Sequence, residues 1–217
     1  MHYQNVLFDL DGTLTDPREG ITRSIQFALS KMGIEEPDLT RLEHFIGPPL
    51  LQAFMEFYAF TEAQAWEAVG YYRERFAVTG LYENQVFEGI TPLLEALNEQ
   101  GRNLFIATSK PQIYAREIAR HFDFGKHFKV IYGSELDGTR TNKVELIKHL
   151  MTLEGLDPAH TLMIGDRKHD LIGARDNGMD AAAVGYGFGS FEELSSFAPT
   201  YHFETLADMH RAFVATA

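Results

Sequence analysis

The feature that most constrains the fold is an alternation between short apolar runs and segments whose apolar residues recur at helical spacing. The alternation begins near residue 104, and its apolar runs are Leu104–Ala107, Lys129–Tyr132, Thr161–Ile164 and Asp180–Val184. Such a pattern is typical of a parallel sheet with helices on both faces, so the sequence predicts an α/β fold. Functional residues in open sheets of this kind gather beyond the carboxyl ends of the strands.

An earlier apolar run, Asn5–Leu10, has the pattern of a strand buried on both faces. The segment after it differs, because apolar residues recur there at helical spacing over residues 21–32, 50–58 and 62–78, without a convincing strand. The sequence therefore predicts a small all-helical domain of residues 16–86, inserted after the first strand. The α/β core is then formed by residues 1–15 and 87–217.

Composition excludes several classes of function. The formal net charge is -12 and the chain has no cysteine. A surface of this charge repels polyanions, which argues against a nucleic-acid polymer as partner, and the lack of thiols excludes cysteine-based catalysis or metal binding. No apolar run reaches the roughly 20 residues that cross a bilayer, so we expect no membrane association and a cytoplasmic location. The oligomeric state is not indicated.

Polar and charged residues stand directly after the predicted strands. They are Asp9, Asp11, Gly12 and Thr13 after the first strand, Thr108, Ser109 and Lys110 after the second, and Asp166 and Asp170 after a later one; Lys143 begins the helix before that strand. Because the carboxyl ends of parallel strands meet at one edge of a sheet, four acids, hydroxyl groups and a lysine can converge there.

This constellation resembles the haloacid dehalogenase superfamily. Its four motifs occur in the expected order: Asp9-Leu10-Asp11-Gly12-Thr13, then Thr108, then Lys143, then Gly165-Asp166-Arg167-Lys168-His169-Asp170. The match spans nearly the whole chain and implies a Rossmann-like parallel core carrying an inserted helical cap. It also implies a phosphatase of the branch that includes phosphoglycolate phosphatases and 5′-nucleotidases.

Phosphoryl transfer assigns roles to the first two acids. Asp9 is suited to attack phosphorus and form an aspartyl-phosphate. Asp11 can protonate the leaving oxygen and later activate water. The alternative for each is an ordinary turn acid before Gly12, and the rest of the motif argues against it.

Carboxylates beside a phosphate require a hard cation, and Mg²⁺ suits oxygen ligands of this kind. Asp9 and Asp166 are the best direct side-chain ligands. The resemblance implies that the backbone carbonyl of Asp11 also binds the metal, and that Asp170 binds it directly or through water. The alternative for Asp170 is an acid favoured by a helix N-terminus.

Thr108 or Ser109 is expected to hydrogen-bond the phosphoryl group, and the resemblance favours Thr108. A helix cap is the alternative for both, and it can coexist with phosphate binding. Lys143 lies in a first helical turn, where a cation opposes the helix dipole unless an anion compensates it. We therefore expect Lys143 to bind phosphate, with an exposed surface lysine as the alternative.

Candidates for substrate specificity are less sharply defined; they are His44, Gly47, Pro48, Lys110 and Arg167. The Gly-Pro-Pro turn after His44 looks like the specificity loop of family caps, although a simple bend between helices explains it nearly as well. Arg167 can reach the leaving group or pair with nearby acids.

The leading interpretation is a phosphatase acting on a small phosphorylated metabolite, similar to phosphoglycolate phosphatase. A 5′-nucleotidase-like nucleoside monophosphatase is the alternative, since the Gly-Pro-Pro turn and the Gly-Asp-Arg-x-His-Asp motif look similar to members of that group. A receiver-type signalling domain also gathers acids, a Thr or Ser and a Lys around a phosphorylated Asp. Such a domain has roughly 120 residues and lacks both Asp11 and a helical insertion.

Overall fold

The computed structural model describes residues 1–214. It divides into two compact units, a core unit of Met1–Asp16 with the chain from Val86 onward, and a second unit of Pro17–Gln85. None of the helices in the described part of the chain combines the length and the apolarity of a bilayer-crossing segment.

The core unit is built on a six-stranded sheet in which all neighbouring strands are parallel. In chain order the strands of the protein are β1 (Asn5–Phe8), β2 (Thr15–Asp16), β3 (Gln85–Val86), β4 (Asn103–Pro111), β5 (Val130–Ser134), β6 (Thr161–Gly165), β7 (Asp180–Val184) and β8 (Tyr201–Phe203). The order across the sheet is β5-β4-β1-β6-β7-β8, while β2 and β3 form a separate two-stranded sheet. The predicted α/β class with a parallel core is confirmed.

Strand β1 occupies the middle of the sheet because its four residues, Asn-Val-Leu-Phe, are buried on both faces. Phe8 is aligned with Ile106 of β4 on one side and with Ile164 of β6 on the other. This register brings the carboxyl ends of three strands side by side. The residues that follow these ends are the ones expected to carry the chemistry.

Helices of the core unit cover the sheet. They are α4 (Ile90–Glu99), α5 (Gln112–His121), α6 (Lys143–Glu154), α7 (Lys168–Asp176), α8 (Phe191–Ser195) and α9 (Leu206–Val214). On one face, α6 and α7 bury side chains such as Ile147 and Leu171 against Leu7, Phe105 and Met163 of three neighbouring strands. Burying such a side chain stabilises the fold by about 1.5–3 kcal/mol, so this layer holds the first turns of α6 and α7 firmly against the sheet.

The second unit is helical, with α1 (Arg18–Lys31), α2 (Leu50–Tyr58) and α3 (Glu62–Arg75), a 3₁₀ segment at Leu39–Phe45 and a π-helical turn at Phe76–Gly80. Its interior contains Phe45, Phe54, Tyr72 and Phe76, each at most 4% exposed, so these aromatic residues form the core of the unit. Helix α3 begins with a capping box, in which Thr61 and Gln64 exchange hydrogen bonds.

Some predicted element boundaries differ from those of the structure. Strand β4 continues to Pro111 although its predicted run stops at Ala107, because Thr108 and Pro111 still pair with β5 through a local irregularity. The short edge strand β8 was not predicted. Its three residues follow Pro199 closely and are too few to show an alternating pattern.

Candidate active site

The turn after β1 presents two carboxylates. Asp9 continues the sheet pairing through its N–H, which donates to the carbonyl of Ile164 at 2.9 Å. Gly12 then adopts a positive φ of 85°, and a Cβ there would lie 2.1 Å from Oδ2 of Asp166. Only glycine satisfies both the left-handed backbone and this close approach, so the turn can fold tightly and leave Asp9 and Asp11 nearly buried.

Lys143 is the cation at the centre of the site. It occupies the first position of α6, after Asn142, whose side chain caps the helix by accepting from two backbone N–H groups. The Nζ atom of Lys143 donates to Oδ1 of Asp9 at 2.9 Å and to the carbonyl of Ala107 at 2.8 Å. It also forms an ion pair with Oδ1 of Asp170 at 2.8 Å. Burial by itself would lower the pKa of Lys143, but Asp170 and Asp9 outweigh it and raise that pKa, so the ammonium stays charged.

Asp166 and Asp170 complete the acidic cluster from the far side of β1. Asp166 follows β6 directly, and Asp170 lies in the first turn of α7, where its Oδ2 accepts from the N–H of Arg167 at 3.1 Å. Burial, reinforced by the charges of Asp9 and Asp170, raises the pKa of Asp166 well above its ordinary value. Burial also raises the pKa of Asp170 to about 6, although Lys143 opposes the shift. For both acids, the charge of neighbouring carboxylates adds to the effect of burial.

The segment Thr108-Ser109-Lys110 comes from the end of β4. The hydroxyl oxygen of Thr108 accepts from the N–H of Lys110 at 3.2 Å, which leaves its hydrogen free to donate to a ligand. The Ser109 hydroxyl donates to the carbonyl of Thr141 at 3.0 Å and so ties this segment to the chain before Lys143. Of the two hydroxyls of this segment, only that of Ser109 donates to another described residue, and phosphoryl binding by Thr108 stays a prediction.

Lys110 contacts Asp11. Its Nζ atom forms a buried ion pair with Oδ1 of Asp11 at 2.9 Å. Burial raises the pKa of the Asp11 carboxyl, and the positive charge of Lys110 opposes that shift. Sequence reasoning proposed Lys110 as a substrate contact and missed this pairing, because the two residues are 99 positions apart and no pattern links them.

The buried charges of the molecule are concentrated at this one edge of the sheet. Among residues 1–214, the buried charged side chains are Asp9, Asp11, Lys110, Lys143, Asp166 and Asp170. The four acids outnumber the two lysines by two. One oxygen each from Asp9, Asp166 and Asp170 lies within 4.8 Å of the others. A hard divalent cation fits both this charge and this set of carboxylate donors.

The side chains of the remaining specificity candidates make contacts of other kinds. The Arg167 guanidinium forms an ion pair with Glu193 of α8 at 3.0 Å, and Glu193 also accepts from the N–H of Lys168. His44 and the Gly47-Pro48 turn belong to the second unit, where the exposed His44 ring packs edge to face on Phe57 at 4.1 Å. Substrate contact by any of these residues stays a prediction.

One segment at the site was missed by the sequence analysis. The loop Gly185–Gly189 follows β7, and the N–H of Phe188 donates to Oδ2 of Asp166 at 2.8 Å. The signal was present in the sequence, because the alternating glycines of Gly-Tyr-Gly-Phe-Gly stand at the carboxyl end of a predicted strand. Glycine repeated at such a place indicates close backbone approach.

Replacing Lys143 tests whether it holds the carboxylates together. We expect Lys143→Met, which preserves length but removes the charge, to lower the metal-free free energy of unfolding by about 3–5 kcal/mol, because it leaves buried charges unpaired. A divalent cation should recover part of this loss by supplying positive charge. Urea unfolding with and without Mg²⁺ measures both effects. Lys126→Met, at an exposed ion pair with Asp123, serves as the control and should change little. Equal stability of the two variants would contradict the role of Lys143.

The central strand of a parallel sheet ends here in a buried acidic cluster, with a lysine and a hydroxyl beside it. This combination of fold and site is that of a phosphoryl-transfer hydrolase. The family model described as haloacid dehalogenase-like hydrolase matches residues 6–184. The chain belongs to this family and is one of its phosphatases. The resemblance inferred from the motifs is confirmed.

Several known proteins are similar to the chain over most of its length. The chain is 66% identical over 211 residues to a 5′-nucleotidase of Pseudomonas aeruginosa, covering 97% of this chain and 96% of that protein. It is 37% identical to the tyrosine-protein kinase PtkA of Mycobacterium tuberculosis, covering 96% of this chain and 72% of that protein. Relatives named phosphoglycolate phosphatase match at 24% and 25% identity. The crystal structure of a predicted phosphatase from Clostridium acetobutylicum superposes with a TM-score of 0.96 at 42% identity, covering 99% of this chain and all of that one.

Proposed function

We propose that the chain hydrolyses small phosphate monoesters in two steps through an aspartyl-phosphate on Asp9. The observation that carries the proposal is the concentration of buried charge at the end of β1, where Asp9 touches Lys143 and Asp11 lies two residues away. Such a site compensates the charge of a phosphoryl group and offers both a nucleophile and a proton carrier.

In the first step, an oxygen of Asp9 attacks phosphorus while the bond to the leaving oxygen breaks. Asp11 donates a proton to that oxygen. The raised pKa of Asp11, caused by burial and opposed by Lys110, keeps the carboxyl able to hold this proton. In the second step, Asp11 takes a proton from water, which attacks phosphorus and releases Asp9. Lys143 and the Thr108 hydroxyl bind the phosphoryl oxygens in both steps.

We propose Mg²⁺ as the cofactor. Asp9, Asp166 and Asp170 would hold it, together with the backbone carbonyl of Asp11 that the family resemblance implies. When bound, the cation offsets the negative charge of the carboxylates and of the phosphoryl group. The unequal count of buried acids and lysines supports a divalent ion in this place.

Adding Mg²⁺ is expected to stabilise the folded protein, and chelation with EDTA to abolish phosphatase activity. At a concentration 100 times the Kd, the free energy gained is about 2.7 kcal/mol, which corresponds to roughly 5–10 °C in the unfolding midpoint of a chain this long. Thermal unfolding followed by circular dichroism measures the shift. Asp166→Asn should lose the shift, measured from its own metal-free midpoint, because the amide removes one of the carboxylate ligands. The same shift in Asp166→Asn would contradict the assigned site.

For the substrate, we propose nucleoside 5′-monophosphates before phosphoglycolate. The support is the much higher identity to the relative named 5′-nucleotidase than to those named phosphoglycolate phosphatase. This reverses the order given by the motifs alone. The helical domain of residues 16–86, with His44, Gly47 and Pro48, remains our proposal for the part that selects the leaving group.

A comparison of purified-enzyme rates tests the substrate class. We expect kcat/KM for nucleoside 5′-monophosphates to exceed that for phosphoglycolate, sugar phosphates and pyrophosphate by about 100-fold, the discrimination that a few lost binding contacts produce. A generic aryl phosphate is the control for intact chemistry. Faster hydrolysis of phosphoglycolate would reverse the substrate proposal and leave the Asp9 mechanism untouched.

A further inference from the structure

The carboxylate of Asp166 accepts hydrogen bonds from two different loops. Its Oδ1 accepts from the Thr13 hydroxyl at 3.2 Å, and its Oδ2 accepts from the N–H of Phe188 at 2.8 Å. The residue itself is fully buried. Both oxygens are therefore fixed in direction by donors from two loops that are far apart in the sequence, the turn after β1 and the loop after β7.

The loop after β7 reaches Asp166 through its backbone. A Cβ at Gly187 would lie 2.3 Å from Cβ of Asp166 and 2.5 Å from the carbonyl oxygen of Gly12. No side chain fits in that space, so the backbone at Gly187 packs directly between Asp166 and the turn after β1. The N–H of Phe188, the next residue, donates to Asp166 from this closely packed backbone.

Tyr186 connects the two loops. Its hydroxyl donates to the carbonyl of Thr13 at 3.0 Å, and its ring packs edge to face on Phe87 at 5.2 Å. Thr13 thus accepts from Tyr186 through its backbone while its own hydroxyl donates to Asp166. Three hydrogen bonds therefore surround the carboxylate of Asp166. They run from Tyr186 to Thr13, from Thr13 to Asp166 and from Phe188 to Asp166.

We propose that Tyr186 is a positioning residue that sets the orientation of Asp166 for binding Mg²⁺. It acts through Thr13 and touches neither the reacting atoms nor the cation. The inference rests on the proposed function, because it takes Asp166 as a ligand. Residues that orient metal ligands from behind change metal affinity or activity by about 10–100-fold when they are lost.

Tyr186→Phe tests the proposal, since it removes the hydroxyl and retains the ring against Phe87. The Mg²⁺ dependence of the thermal unfolding midpoint, measured without substrate, gives the Kd of each protein. We expect the Kd of the variant to rise by at least about tenfold. We also expect a higher Mg²⁺ concentration for half-maximal phosphatase activity, with the parent's kcat restored at saturating Mg²⁺.

Tyr132→Phe is the matched control. It removes one phenolic hydrogen bond of the same core unit, from Tyr132 to Oε1 of Glu154 at 2.6 Å. Its Kd for Mg²⁺ should equal that of the parent. A Tyr186→Phe variant that binds Mg²⁺ as the parent does, whether or not it unfolds earlier, would overturn the positioning role alone. A parent protein that shows no Mg²⁺-dependent stabilisation would overturn the proposed metal site and this inference with it.

Discussion

Asp9→Asn is expected to abolish turnover and leave the protein folded. The amide keeps the shape of the side chain. In the parent, Lys143 donates to Oδ1 of Asp9, and the amide oxygen of the variant can accept the same hydrogen bond. It lacks the nucleophilic carboxylate, however, and loss of a nucleophile costs on the order of 10⁴-fold or more in kcat. The measurement is kcat with an aryl phosphate and Mg²⁺, alongside circular dichroism and thermal unfolding of the same samples.

The control for this variant is Asp176→Asn, which makes the same chemical change at a surface ion pair with Arg175. It should keep the activity of the parent. If Asp9→Asn were folded and turned over at a rate comparable with that control, Asp9 would not be the nucleophile.

Asp11→Asn is expected to reduce turnover by about 10²–10⁴-fold, with the loss depending on the leaving group. An alkyl leaving group needs a proton as its bond breaks, so the variant should be slow in the first step of alkyl monoester hydrolysis. A nitrophenolate leaves without one, and only the second step, in which Asp11 activates water, should then be slow. Rapid mixing with nitrophenyl phosphate should therefore release about one nitrophenolate per enzyme in a fast burst before slow turnover.

The dependence on the leaving group is the part of this result that a structural effect does not reproduce. Asp11 is paired with Lys110, and the amide of Asn keeps an acceptor for that ammonium. A loss that is equal for alkyl and aryl esters, without a burst, would assign Asp11 a structural role and contradict its role as the proton carrier.

Much of the sheet could be predicted because its strands are short apolar runs with clear ends. β1, β6 and β7 follow that rule, and the residues beyond β1 and β6 are the acids of the site. β4 was harder, because Ser109 and Lys110 are polar, and the strand continues past Ala107 only because Thr108 and Pro111 pair with β5 across a local irregularity. That pairing depends on a distant segment, which local sequence does not reveal.

At the site, too, contacts that follow from the order of the elements could be predicted, whereas contacts that depend on distant segments could not. That Asp9 and Lys143 would come to the same edge of the sheet could be predicted, since Asp9 follows β1 and Lys143 begins the helix before the neighbouring strand β6. The ion pair between Lys110 and Asp11, and the hydrogen bond from Tyr186 to Thr13, depend on side-chain direction and loop path. Arg167 shows the same limit, because its pairing with Glu193 requires α8 to lie beside α7, which no motif encodes.

The most direct test of the central claim is to trap the phosphorylated enzyme. Asp11→Asn protein is mixed with Mg²⁺ and nitrophenyl phosphate, quenched in acid within the burst and analysed by mass spectrometry, with Asp9→Asn/Asp11→Asn as the control. Covalent attack predicts a mass increase of one phosphoryl group, located on the peptide that contains Asp9 and absent from the double variant. A full burst of nitrophenolate with no phosphoryl group on Asp9 would contradict the two-step mechanism.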